Sequence, residues 1–143
     1  MIPDSQVPDG VAKRAQPESF RARALSASLT VRDLQKSLAW YRDVVGFTVI
    51  QEHERDGKLR AVSLSAGVVQ ILIGQDDGAK GLERVKGEGF SLRMTTAQNI
   101  DELAARIKEH GATLETEPTE LHGARVFRLR DPDGFMLVIS SER

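Results

Sequence analysis

The sequence predicts an α+β protein of two tandem βαβββ modules that form a cupped mixed sheet with helices on the outside. Three observations lead there. Periodic segments run in the order one strand, one helix, three strands, and that order occurs twice. Setting Gly46 on Gly111 aligns FTVIQE with ATLETE, a repeat of about 65 residues, and two extra residues before the second helix bring SASLTV onto GFSLRM. A helix covers one face of a four-stranded sheet and leaves the other free, so two such units cup their free faces around a cavity.

Residues 1–19 carry Pro3, Pro8 and Pro17 among polar neighbours without a sustained period, which predicts a flexible or extended N-terminal arm. The first module is assigned to 20–75. ALSASLTV (24–31) alternates loosely and meets Asp33, a good helix cap, so a strand gives way to a helix. In LQKSLAWYRDVV (34–45), Leu34, Leu38, Tyr41 and Val45 share one face, and Gly46 stands where a left-handed helix end favours glycine. Tyr41 is read as core with its hydroxyl at an edge, and Trp40 as cover for a neighbouring subunit or the first strand. FTVIQEHE, LRAVSLS and VVQILIG then read as strands joined by tight turns at Asp56-Gly57 and Ala66-Gly67.

The polar, glycine-rich stretch that follows predicts a linker over 76–88, a composition open to exchange of modules between subunits. The second module is assigned to 89–143. GFSLRM is its first strand, NIDELAARIKEH its helix with Gly111 as the stop, and ATLETEP, RVFRLR and FMLVIS are its remaining strands. Asp131-Pro132-Asp133-Gly134 has proline at i+1 and glycine at i+3 and lacks the spaced oxygen donors of a calcium loop, so it is read as a turn.

Lys plus Arg number 20 and Asp plus Glu 21, and the net charge of −1 provides no global field to attract nucleic acid or an anionic membrane. Neither is expected as a partner. The absence of cysteine excludes disulfides, thiolate metal sites and a cysteine nucleophile, and fits a reducing compartment, with cytoplasm as the default. No apolar run approaches the roughly 20 residues that span a bilayer, and the start lacks the apolar centre of a signal peptide, so the expectation is a soluble protein. No glycine-rich phosphate loop, Ser/His/Asp order or HExxH motif occurs.

Two segments, VRDLQKSLAWYRDVVGF (31–47) and RDPDGFMLVI (130–139), carry a family resemblance. With the duplication, they make residues 25–140 similar to the vicinal oxygen chelate superfamily, which includes glyoxalase I, extradiol dioxygenases, methylmalonyl-CoA epimerase and the fosfomycin and bleomycin resistance proteins. Members that do chemistry hold a divalent metal in the cup, using histidine and carboxylate side chains from the first and last strands of each module. The resemblance places the first ligand at Ser26, the ligand opening the second module at Gly89 or, in a slipped register, Phe90, and the final glutamate at Val138. The remaining ligand falls at Gln70 or Ile71. None of these is an imidazole or a carboxylate, whereas a divalent first-row metal needs several such donors. The resemblance therefore implies the metal-free, bleomycin-resistance-like branch, with no metal and no cofactor, and valine at 138 makes the cup floor apolar and neutral.

Three histidines remain. His110, in the last helical turn, is read as complementing the helix dipole. His53 and His122 are placed on equivalent strands or loops of the two repeats, either as solvated side chains or as parts of a relocated metal site.

Alternation selects the groups that face the cup. Phe90, Leu92 and Met94 are expected to cover the helix, leaving Gly89, Ser91 and Arg93 toward the cup; Ser26 and Ser28 follow by the same rule in the first module. Arg93 is read as a clamp for a ligand carboxylate or phosphate, as the partner of an acid such as Glu54, or as a rim group. Arg128 either adds a second positive group or lines a solvated strand edge. The serines lack a neighbouring base and are read as polar lining rather than nucleophiles.

The expected ligand-binding set is thus Ser26, Ser28, Gln70, Ser91, Arg93, Arg128 and Val138, with no assigned catalytic residue. The function expected is binding of a small organic molecule in a metal-free cup, with sequestration as its mechanism, within a homodimer. One alternative is a metal-dependent isomerase or dioxygenase with displaced ligands such as His53, His122 or Glu54, or metal-free proton transfer by Arg93 and a carboxylate. Another is a dimeric interaction module without a ligand.

Overall fold

A computed structural model describes residues 19–142 of the chain, so the expected arm over 1–19 lies outside it apart from Ser19. The first module comprises β1 (Ala27–Val31), α1 (Leu34–Ala39), a π-helical segment (Trp40–Val45), β2 (Thr48–Arg55), β3 (Lys58–Ala66) and β4 (Val69–Gln75). The second comprises β5 (Ser91–Thr96), α2 (Ile100–Glu109), β6 (Leu114–Leu121), β7 (Ala124–Arg130) and β8 (Met136–Ser141). Each module forms its own four-stranded mixed sheet, ordered β1-β4-β3-β2 and β5-β8-β7-β6, with the first pair parallel and the rest antiparallel. The fold is α+β, two tandem βαβββ modules, as the sequence predicts.

The helix starts are set by side-chain caps. Asp33 accepts from the Lys36 amide at 3.1 Å and Asn99 from the Glu102 amide at 2.9 Å, each worth about 1 kcal/mol. Their ends are alike too, since Gly46 and Gly111 hold φ of 108° and 113°. His110 caps α2 with an Nδ1–H donated to the Arg106 carbonyl at 2.8 Å.

The first helix departs from the expected uniform run over 34–45. It is α-helical only to Ala39 and then widens, with Gly46 N and Phe47 N both donating to the Tyr41 carbonyl at 3.0 and 2.8 Å. Apolar residues at 34, 38, 41 and 45 satisfy either winding, which is why periodicity does not separate them. A second correction concerns the β3–β4 turn: Ala66 pairs with Val69, so the loop is Gly67-Val68. Glycine at its first position, with φ of 59°, supplies the backbone that a tight hairpin needs.

A single apolar cluster runs through both modules, from Leu29, Val31, Tyr41 and Phe47 to Ile107, Phe127, Leu137 and Ile139. Polar contacts add to it at the β7–β8 turn. Asp131 Oδ1 accepts the amides of Asp133 and Phe135, both at 2.9 Å, and Oδ2 accepts the Tyr41 hydroxyl at 2.7 Å. That hydroxyl is thus deep in the intermodule contact and not at an edge. Asp133 Oδ2 accepts the Arg32 amide at 2.8 Å, and Ser37 Oγ lies 3.4 Å from Asp133 Oδ1. Burial raises the Asp131 carboxyl above its ordinary range, against the lowering pull of the Tyr41 hydroxyl and two amides. Tyr41 is pushed far up by burial and then by the adjacent Asp131 charge.

The linker is folded onto this contact. Lys86 Nζ meets Asp76 Oδ2 at 2.6 Å with both side chains buried, and Arg32 donates to the carbonyls of Leu82 and Arg84, each at 2.8 Å. Gln75 caps α1 by accepting the Leu34 amide at 2.9 Å. Among the described residues, no helix is long and apolar enough to cross a membrane.

Candidate functional site

The intermodule turn fixes the register of β7 on β8, and that register builds the site. Val138 is opposite Arg93 on β5 and opposite Arg128 on β7, so one row across three strands reads Arg93, Val138, Arg128. Leu137, Ile139, Phe127 and Leu129 alternate with this row and are buried under α2. The row therefore lies on the sheet's free face. A second row, two residues along, reads Thr95, Ser140, Val126.

A cavity of about 510 Å³ opens over these rows, lined among others by Arg93, Thr95, Val126, Arg128, Val138 and Ser140. At its rim stand His122 and Glu142. His122 and Gly123 hold φ of 52° and 83° in the β6–β7 turn, as Asp56 and Gly57 do, at 55° and 75°, in the β2–β3 turn. The counterpart of His122 is therefore Asp56 and not His53, which sits on β2 with Nε2 3.1 Å from Ser63 Oγ. The expected equivalence of the two histidines is corrected accordingly.

Of the seven residues expected to bind a ligand, the fold brings Arg93, Arg128 and Val138 into this cavity. Ser91 faces another. Ser26 precedes β1, while Ser28 and Gln70 are exposed on β1 and β4 of the first sheet. Thr95, Val126 and Ser140 were not singled out by sequence reasoning, although each lies two residues from a member of the first row and shares its face. Gly89 precedes β5, and Phe90 is half-exposed in an edge contact with Phe135 at 6.1 Å, so Phe90 does not cover α2 as expected.

Another cavity, about 610 Å³, is lined by Arg32, Lys86, Phe90, Ser91, Arg130 and Asp133 among others. It is larger, but its basic groups are committed to structure: Arg32 to Asp133 and the linker carbonyls, Lys86 to Asp76, and Arg130 to Glu115 and the Gly134 carbonyl. Arg93 and Arg128 differ, since neither side chain makes an ion pair or hydrogen bond with a described residue. Opposite Arg128 on β6, the buried Thr116 hydroxyl also lacks a partner among the described residues.

The free-face row does not fit a divalent metal. Position 138, where the resemblance puts a ligand, holds an isopropyl group between two guanidiniums, and fixed positive charge repels a dication. Among the described residues no group of three or more His, Asp or Glu is placed to hold a metal ion.

Comparisons with known proteins agree with this architecture. The chain is 27% identical over 124 residues to the catechol-2,3-dioxygenase of Bacillus subtilis (strain 168), covering 82% of this chain and 40% of that protein, so it spans about two fifths of the relative's length. It resembles the solved structure of a glyoxalase/bleomycin resistance protein/dioxygenase superfamily member from Sphaerobacter thermophilus DSM 20745 at a TM-score of 0.70 and 26% identity, covering 85% of this chain and 98% of the other. TnmS3, described as an antibiotic binding protein from Streptomyces sp. CB03234, shares the fold at a TM-score of 0.69 and 17% identity, over 87% of this chain and 99% of its own. With the family model matching residues 23–139, the chain belongs to the Glyoxalase/Bleomycin resistance protein/Dioxygenase superfamily.

Proposed function

We propose that this protein binds a small organic molecule on the free face of its second sheet and sequesters it without a metal. The observation that carries the reading is the convergence of Arg93, Arg128 and Val138 on one cavity of about 510 Å³, of a size that suits such a ligand. The free-face positions of β5, β7 and β8 supply hydroxyls, guanidiniums and apolar groups but no imidazole or carboxylate, which suits recognition better than metal-assisted turnover. Description of the fold neighbour TnmS3 as an antibiotic binding protein supports the same reading.

A second copy of the chain closes the cup in this proposal. The cavity draws its described lining from the second module alone, so the polar first-module face carrying Ser28 and Gln70 is available to a partner subunit. A homodimer by sedimentation is the expected state.

The test is a small-molecule library screened by thermal shift on the full-length protein, followed by recovery of the bound compound. A stabilising ligand recovered unchanged, from protein holding no stoichiometric metal after incubation with nickel, cobalt, manganese, zinc and iron salts, is the expected result. One metal per chain together with turnover would replace sequestration by an isomerase or dioxygenase reading, the direction in which the catechol-2,3-dioxygenase relative points.

A further inference from the structure

We infer that the ligand of the second-sheet cavity carries an oxyanion, a carboxylate or a phosphate-type group, held between Arg93 and Arg128 above Val138. This rests on the small-molecule reading and specifies its chemistry. Both arginines pair in register with Val138, so their Cα atoms stand two strand spacings apart, about 10 Å. Two long side chains on one face at that separation can reach a single group between them.

The surroundings favour negative charge at that point. No free-face position of β5, β7 or β8 holds an acid, and the acid lining the cavity, Glu142, is an exposed rim residue beyond β8. Without an anion, two like charges share this face and repel, Arg93 exposed and Arg128 half-buried, with no described side-chain counter-ion. An oxyanion relieves that repulsion and accepts the paired N–H donors of each planar guanidinium. Val138 and Val126, 5% and 4% exposed, keep the floor apolar, which strengthens charge-assisted bonds above it. The hydroxyls of Thr95 and Ser140 lie one row further along and are placed to orient the rest of the molecule.

The experiment uses matched fragment pairs on the full-length protein: benzoate against benzamide, and phenyl phosphate against phenol. Binding is read from the methyl resonances of Val138 and the Nε–H resonances of Arg93 and Arg128. The anionic member of a pair is expected to shift all three residues, and whichever anion binds tighter tells a carboxylate ligand from a phosphate-type one. Arg93→Ala and Arg128→Ala should each weaken anion binding by about tenfold or more, with Arg93→Lys and Arg128→Lys recovering part of it. Equal binding of charged and neutral members at Val138 would overturn the anion assignment and leave the small-molecule reading standing. If no member of either pair moves Val138, both fall.

Discussion

The Tyr41 hydroxyl donates to Asp131 Oδ2 at 2.7 Å across 90 residues of sequence, and so ties the first helix to the turn that sets the site's register. Asp131 is buried, with Tyr41 and two backbone amides as its donors. Tyr41→Phe removes one donor from a buried carboxylate, and a loss of about 2 kcal/mol in urea unfolding is expected at neutral pH. The pH dependence has a definite sign. The Asp131 carboxyl is already raised by burial, and losing Tyr41, which lowers it, raises it further. The gap between wild type and variant is therefore widest where Asp131 is ionised in both, and closes as pH falls through the raised native range. A gap that stays constant down to acid pH would remove Asp131 from the account.

The buried contact between Lys86 and Asp76 also weakens as pH falls, but through a carboxyl that is lowered rather than raised. The Lys86 ammonium and the Gly78 amide hold the Asp76 carboxyl below its ordinary range, so the contact contributes stability above the unfolded carboxylate pKa and loses it as pH falls through the lower native value. Lys86→Met strands the carboxylate. Thermal stability should fall at neutral pH, and the acid limb of the stability profile should flatten below about pH 4. Adding Asp76→Asn should restore part of the lost stability, because an unpaired buried charge is worse than a neutral amide. No restoration in the double variant would show that packing of the lysine stem dominates.

Much of this fold is legible in the sequence because its cues are local. Asp33 and Asn99 announce helix starts, Gly46 and Gly111 their ends, and alternation in SLRMTT puts Arg93 on the free face. The π-helical widening after Ala39 is not legible, since an apolar stripe fits both windings. Nor is the fate of charged residues between modules: Arg32 and Asp131 look like solvated loop residues until partners some ninety or more positions away bind them, and Lys86 until the folded linker buries it against Asp76. The site is half legible. Arg93, Arg128 and Val138 each follow from strand alternation, but their union in one row depends on cross-strand register, which the intermodule turn helps set.

Gly87 illustrates a constraint that composition hides. A Cβ there would lie 2.7 Å from Phe135 Cδ1 and 3.1 Å from its Cα, at a φ of 76°. Gly87→Ala therefore combines left-handed backbone strain with a clash against a core aromatic, for an expected loss of about 2–4 kcal/mol. Gly111→Ala is the control. Its φ of 113° is strained as well, but nothing lies within 4 Å of the added carbon, so about 1–2 kcal/mol is expected. Equal losses in calorimetry would show that the Phe135 contact yields freely.

Val138→Glu places a carboxylate at the position where the family resemblance puts a metal-binding glutamate, and asks which cation it meets. In this chain the nearest positive groups are Arg93 and Arg128, one strand away on either side. The new carboxylate should accept from both guanidiniums, so the loss of stability stays within about 1–3 kcal/mol despite the buried location. Occupying the space between the arginines, it should weaken benzoate or phenyl phosphate binding by about tenfold or more. It should not create a metal site, because one carboxylate between two guanidiniums supplies neither the donor number nor the charge that a divalent ion requires. Elemental analysis after metal incubation and desalting checks this, alongside fragment titration. Stoichiometric metal in the variant would mean that donors beyond this row, from His122, Glu142 or a second copy, complete a site around position 138.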